Sequence, residues 1–197
     1  METKNELKNI LALHKKWLNE EEGGERADLH GADLDGICLD NVDFRNANLR
    51  CVNFRNAIIT NSDFRSADLY GADFRHALLQ GSDFASANLK NADFTYANLC
   101  NADFLNADLT GANLGEANLK GVDFDYSCLP LWCGSLDAHF DDKQLKQIAY
   151  HLVKAGLHSE NASYETKEEL KKLTPFANEF HRAEDCGFIQ KMEEKEE

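Results

Sequence analysis

From Leu29 to Leu129 every fifth residue is leucine, phenylalanine or isoleucine, twenty-one times in succession. That period fits neither common regular structure. Five residues of α-helix rotate a side chain by roughly 500°, so the stripe would wander around the cylinder. A strand alternates faces, so an odd step would send successive members to opposite sides. The period is satisfied when each five-residue unit forms one short side of a coil and turns its central apolar residue inward every time. Such a chain is a solenoid.

Each unit reads small residue, Asp or Asn, Leu or Phe, then two variable residues, as in Ala67-Asp68-Leu69-Tyr70-Gly71 and Ala92-Asp93-Phe94-Thr95-Tyr96. Phenylalanine occupies the inward position at 44, 54, 64, 74, 84, 94 and 104 and again at 124, with Leu or Ile between. This ten-residue alternation requires an even number of sides per coil. It is compatible with four and with six.

The tandem A(D/N)LXX pattern over residues 27 to 131 resembles the pentapeptide repeat proteins. The resemblance implies a mainly β fold, a right-handed quadrilateral β-helix in which four units make one coil. On that basis Phe44, Phe64, Phe84, Phe104 and Phe124 stack on one side, Phe54, Phe74 and Phe94 on the opposite one, and Leu columns fill the other two. The small residue two places earlier also points inward, where a narrow square has no room for a second bulky group. Val42, Val52 and Val122 stretch that slot, and Ile37 stretches it most. Twenty-one units make about five coils, about 25 Å of solenoid at the usual strand spacing.

An open-ended solenoid exposes core and unpaired backbone, so caps are expected. Residues 1–26 read as an N-terminal helical cap and linker. Leu7, Ile10, Leu11, Leu13, Trp17 and Leu18 recur with helical spacing between Glu6 and Glu20, with Leu7, Leu11 and Leu18 on one face, and Gly23-Gly24 ends the segment. Residues 132–197 lose the five-residue register and read as a C-terminal helical cap with a disordered charged tail from about 190. A helix is predicted from Asp142 to about Ala155, stopped by Gly156, a second from about Lys167 to Leu173, and a third capped by Thr174 with Pro175 in its first turn. Leu145, Ile148, Leu152, Phe176 and Phe180 are the candidate contacts of a homodimer through these helices, a role that terminal helices serve in several members of the family the chain resembles.

The chain of 197 residues carries 35 acids against 21 bases, a formal net charge of −14. Most of the excess lies on the repeats, where residues 27–129 hold 15 acids and 7 bases. Such a surface repels nucleic acid and anionic membrane and favours a basic protein partner. No apolar run is long enough to span a membrane, and the first twenty residues carry too many charges for a signal peptide, so a cytoplasmic protein is expected. Irregular spacing of the six cysteines argues for reduced thiols.

No nucleophile, base and orienting group converge, and no GxxxxGK(S/T) or HExxH pattern occurs, so neither an enzyme nor a cofactor is expected. Cys128, Cys133, His139, His181 and Cys186 have the residue types of a zinc site but loose spacings, and no metal is assigned.

The outer slots are more informative. With four units per coil, Asp43, Asp63, Asp83, Asp103 and Asp123 stack on one side, followed one residue beyond the core position by Arg45, Arg65, Ala85, Leu105 and Asp125. The arginines neutralise the N-terminal half, which leaves Asp63, Asp83, Asp103, Asp123 and Asp125 as the candidate interaction face. The competing reading gives the same carboxylates a local task, bonding the turn backbone. On another side Cys38, Ile58 and Leu78 form a candidate apolar contact stripe, for the flanking helices or for a partner. The expected function is a rigid acidic interaction module. The resemblance implies an alternative, a DNA mimic that binds type II topoisomerase (gyrase) and modulates it or protects it from quinolones. Duplex DNA of ~25 Å carries about fifteen charges, whereas the repeats net −8 with arginines interrupting the field.

Overall fold

The computed structural model describes residues 2–128 and, further on, isolated positions between 163 and 175. The chain divides into two compact units, Met1–His139 and Phe140–Glu197.

The first unit opens with helix α1, Glu2–Leu18. It starts a turn before the expected Glu6 because its first residues are polar and leave no trace in the apolar pattern. It ends before Glu20, whose φ of 58° leaves the helical region. Among the described side chains of α1, Leu7 and His14, seven residues apart, are buried, whereas Trp17 is 37% exposed. The buried face therefore centres on Leu7 and His14, with Leu11 and Leu18 half-buried beside it. Gly24 lies so close to the helix end that a Cβ there would stand 2.3 Å from the Trp17 backbone nitrogen.

From Asp28 to Cys128 the backbone pairs in parallel at one fixed offset, each residue before a core position with its counterpart twenty residues on, as in Asp43↔Asp63 and Asp108↔Cys128. Twenty residues is four pentapeptides, so the coil has four sides and the six-sided alternative is excluded. Around each side the amide of the core residue donates to the next coil, as in Phe64 N–H to the Asp83 carbonyl at 2.7 Å. Each corner closes with a three-residue bond such as Ala67 N–H to the Phe64 carbonyl at 3.0 Å. The corner residue itself takes a left-handed φ, 57° at Asn106 and 72° at Gly111. Glycine and asparagine tolerate that region best, which explains their frequency in what the sequence presents as a variable slot.

The interior is built as the period predicts. Phe44, Phe64, Phe84, Phe104 and Phe124 stack in succession, with centroids 4.7 to 5.5 Å apart. Phe54, Phe74 and Phe94 form the facing column at 5.2 and 4.8 Å. The columns meet edge to face, as at Phe74 and Phe84, 5.9 Å apart and 85° between planes. Both arrangements match the quadrupole preference of aromatic rings. Alanines such as Ala57, Ala77 and Ala97 fill the small slot and are buried.

Two serines vary this theme. Ser62 and Ser82 are buried, and Ser82 Oγ donates to the Ile59 carbonyl at 2.8 Å while accepting from Ser62 N–H at 3.2 Å. The hydroxyl thus sits inside a corner bond that other units close directly. Ser62 Oγ occupies the same place one coil earlier, accepting from Val42 N–H at 3.1 Å.

In the second unit, Lys167, Glu168, Lys171 and Lys172 have helical backbone within the expected Lys167–Leu173 segment, and Tyr164 is already helical ahead of it. Leu145, Ile148, Leu152, Phe176 and Phe180 lie outside the described residues, as do the predicted helix from Asp142 and Cys133, His139, His181 and Cys186. Among the described residues no helix is long and apolar enough to cross a membrane.

Candidate protein-interaction face

Asp43, Asp63, Asp83, Asp103 and Asp123 follow one another through consecutive bridges, one per coil. Each uses Oδ1 to accept the amide two residues on: Arg45, Arg65, Ala85, Leu105 and Asp125, at 2.7 to 3.1 Å. This is the turn-binding task anticipated for Asp in tight turns, and every member of the column performs it. A carboxylate has acceptor capacity left over after one such bond, so the local task does not exhaust the group.

What happens to the remaining charge differs along the column. Arg45 grips Asp43 with Nη2 at 2.8 Å from Oδ2, and its Nε lies 3.5 Å from Asp63 on the next coil. Arg65 grips Asp63 in the same way and lies 3.4 Å from Asp83. Each guanidinium thus bridges two rungs. Burial works to raise the Asp43 pKa, but the hydrogen bonds and charge of Arg45 outweigh it and hold the group below its ordinary value.

After Arg65 the ladder of cations stops. Ala85 and Leu105 occupy the equivalent slots, and among the described residues no cation pairs with Asp103. Burial pushes the Asp103 pKa up. The Leu105 amide opposes that, while the charges of Asp83, Asp123 and Asp125 reinforce it. The sign of the perturbation therefore reverses between the first and fourth rungs of one column.

Asp125 requires a correction. It was expected on the open face with the others, but it is 3% exposed and does not belong to that surface. Its slot is the one that Arg45 and Arg65 hold on earlier coils, so nothing in the sequence distinguishes it as buried.

The other sides are better compensated. On the side carrying Asp28, Asn48, Asp68 and Asn88, acid and amide alternate, and Asn48 and Asn88 each donate Nδ2 to the carboxylate one coil back at 2.9 Å. Arg50 pairs with Asp68 at 3.1 Å and lies over the Tyr70 ring at 4.5 Å, and Lys90 pairs with Asp108 at 2.9 Å. On the side opposite the Asp43 column, Arg75 pairs with Asp73 and reaches toward Asp93 at 3.8 Å. Sequence reading passed over this interleaving, although Asp and Asn alternating at twenty-residue spacing was the signal for it.

Cys38, Ile58 and Leu78 come together on one side, bridged in order and continued by Asn98. Ile58 is 40% and Leu78 38% exposed, and Cys38 is exposed as well. Among the described residues, α1 leaves the stripe exposed. Cys38, Cys51, Cys100 and Cys128 are free thiols. Among the described residues no group of His, Cys, Asp or Glu has the geometry to hold a metal ion.

A family model described as pentapeptide repeats (8 copies) matches residues 27–65, 47–85, 67–106 and 87–125, in registers offset by one coil. Among solved structures, a pentapeptide repeat protein from the thylakoid lumen of Arabidopsis thaliana is 30% identical, with a TM-score of 0.49 over 72% of this chain and 88% of that one. One from the cyanobacterium Nostoc is 28% identical, with a TM-score of 0.34 over 57% and 92%. QnrB1, a plasmid-mediated fluoroquinolone resistance protein, is 14% identical, with a TM-score of 0.30 over 64% and 97%. No curated protein matches significantly.

Proposed function

The chain belongs to the pentapeptide repeat family, and from that premise we propose that it is a non-enzymatic interaction module that docks a basic protein surface on Asp83, Asp103 and Asp123. The scaffold for this role is a right-handed quadrilateral β-helix of about five coils. Its pairing fixes the carboxylates at strand spacing, about 4.8 Å apart, so no conformational entropy is lost in aligning them when a partner arrives.

One observation carries the reading: the arginine ladder ends at Arg65 while the aspartate column continues. Arg45 and Arg65 show what a guanidinium does at this surface, bridging successive rungs. Ala85 and Leu105 leave the corresponding positions beside Asp83 and Asp103 without a cation of their own. A partner presenting Lys or Arg at the same spacing would supply it and relieve the acidic crowding that adds to burial in raising the Asp103 pKa. Such complementarity contributes mainly to specificity and association rate.

The same ladder weighs against mimicry of DNA. Arg45, Arg50, Arg65 and Arg75 are all engaged in ion pairs with the repeat's own aspartates, so cations interrupt the field of the N-terminal coils where a DNA mimic requires an unbroken acidic surface.

The test is capture of partners from the native host with three baits. These are the wild-type chain, an Asp83→Asn/Asp103→Asn/Asp123→Asn variant, and an Asp28→Asn/Asp33→Asn control on other sides. A partner lost by the triple variant and kept by the control supports the proposal. Equal capture by all three refutes it. A gyrase supercoiling assay is expected to show no effect at micromolar protein, and inhibition there would replace this reading with the topoisomerase one.

A further inference from the structure

His14 is the one histidine of α1, and it is fully buried. Its Nδ1 accepts the Ala27 backbone amide at 3.1 Å, at the point where the chain enters the first coil. Accepting at Nδ1 requires the neutral tautomer with its proton on Nε2. Nε2 is buried and makes no well-formed hydrogen bond, although the Arg45 backbone stands close enough to favour its proton. The ring lies parallel to Trp17, centroids 5.7 Å apart, and the neighbouring Leu13 carbonyl accepts from Glu25 N–H at 3.1 Å. Two successive residues of α1 therefore hold the chain that leads into the solenoid, and one of these bonds depends on an unprotonated imidazole.

We propose that His14 is a pH-sensitive latch, holding α1 against the first coil when neutral and releasing it when protonated. A proton on Nδ1 turns the acceptor into a donor that faces the Ala27 donor, so the bond is lost. The same proton places a charge at a site without solvent. The charged groups facing the ring are Asp43, which favours the proton, and Arg26 and Arg45, which oppose it. From α1 the Trp17 ring packs beside it.

The direction of the pH effect follows from these surroundings. Burial lowers the His14 pKa from 6.5, outweighing the attraction of Asp43 and of the Arg45 backbone. The unfolded or released segment then binds more protons than the docked one as pH falls. Docking is complete above the ordinary histidine pKa and weakens as pH falls below it. Release would uncover Ala27, now 1% exposed, and the unpaired leading edge of the first coil, a surface open to strand addition.

The test is amide hydrogen exchange on the full chain, corrected for intrinsic rates, with NMR titration of the His14 ring. Between about pH 8 and about pH 5, protection of residues 2–27 is expected to fall while that of residues 44–104 holds, by up to about tenfold per unit of pKa difference. His14→Asn, whose Oδ1 stands close to Nδ1 and does not titrate there, is expected to abolish the pH dependence. Protection of α1 that is constant across this range in the wild type overturns the latch, and so does an equal loss in His14→Asn. Should the variant fail to fold, the wild-type titration decides. A His14 midpoint below 6.5 that coincides with loss of protection supports the latch, and a midpoint at or above 6.5 refutes it.

Discussion

Phe64 and Phe84, twenty residues apart in sequence, lie face to face with ring centroids 4.7 Å apart and planes within 3° of parallel. Phe84 also meets Phe74 and Phe94 edge to face and Phe104 face to face, so it touches four aromatic neighbours at the centre of the solenoid. Replacing it leaves a hole that no flexible neighbour can fill. Phe84→Ala is expected to destabilise the chain by about 3–5 kcal/mol, and Phe84→Leu by less, read as the shift in denaturant midpoint. A loss under about 1 kcal/mol for the alanine variant would mean that the columns do not pack in this way.

Ser82 offers the opposite case, a buried polar group that should matter little. Its hydroxyl stands between Ser62 N–H and the Ile59 carbonyl, whereas other corners join those two groups directly, as Ala102 N–H does to the Leu99 carbonyl at 2.9 Å. Ser82→Ala lets the corner close. The expected change in unfolding free energy is below about 1 kcal/mol, since the donor regains a partner. A loss of about 2 kcal/mol or more would show that the corner cannot relax.

The carboxylate column was legible in the sequence once the period was read, and so was the end of its arginine ladder, because both follow from residue type at fixed spacing. Four-sidedness was not, since alternation of Phe with Leu fits any even number of sides; only the pairing of Asp43 with Asp63 decides it. The burial of His14 escaped notice because polar residues on a helix are assigned to the outer face unless something pairs with them, and the Ala27 amide leaves no mark in the sequence. Asp125 escaped for a related reason: its slot is outward on Arg45 and Arg65, yet its own side chain is buried.

Opposite pKa shifts among the aspartates of the coils lead to opposite pH effects. Asp43 and Asp73 are held below their ordinary values by Arg45 and Arg75 against the cost of burial, so they contribute stability above the unfolded carboxylate pKa. That contribution is lost as pH falls through their folded values. Asp103, raised by burial and by its acidic neighbours, contributes in the other sense: it favours the fold at low pH and weakens it as pH rises through its folded pKa. Asp103→Asn keeps an acceptor for the Leu105 amide and removes the charge. At pH 7 it is expected to stabilise by a few tenths to about 1 kcal/mol, and a destabilisation in thermal unfolding would contradict the assignment.

Gly24 tests the seat of α1. A methyl group there would overlap the Trp17 backbone, which cannot step aside as a flexible side chain would. Gly24→Ala is expected to cost about 1–3 kcal/mol and to expose α1 to protease before the coils unfold. Equal protease resistance in Gly24→Ala and the wild type would show that α1 is seated differently.

All of these expectations depend on the coil having a rise of one strand spacing per twenty residues. The most direct measurement is the distance between spin labels at His30→Cys and Thr110→Cys, exposed positions on one side and four coils apart, in a chain whose six native cysteines are replaced by Ser. A narrow distribution near about 19 Å between backbone anchors is expected, four spacings of about 4.8 Å. A broad distribution, or a distance beyond about 35 Å, would contradict the four-sided stack and with it the alignment of Asp83, Asp103 and Asp123.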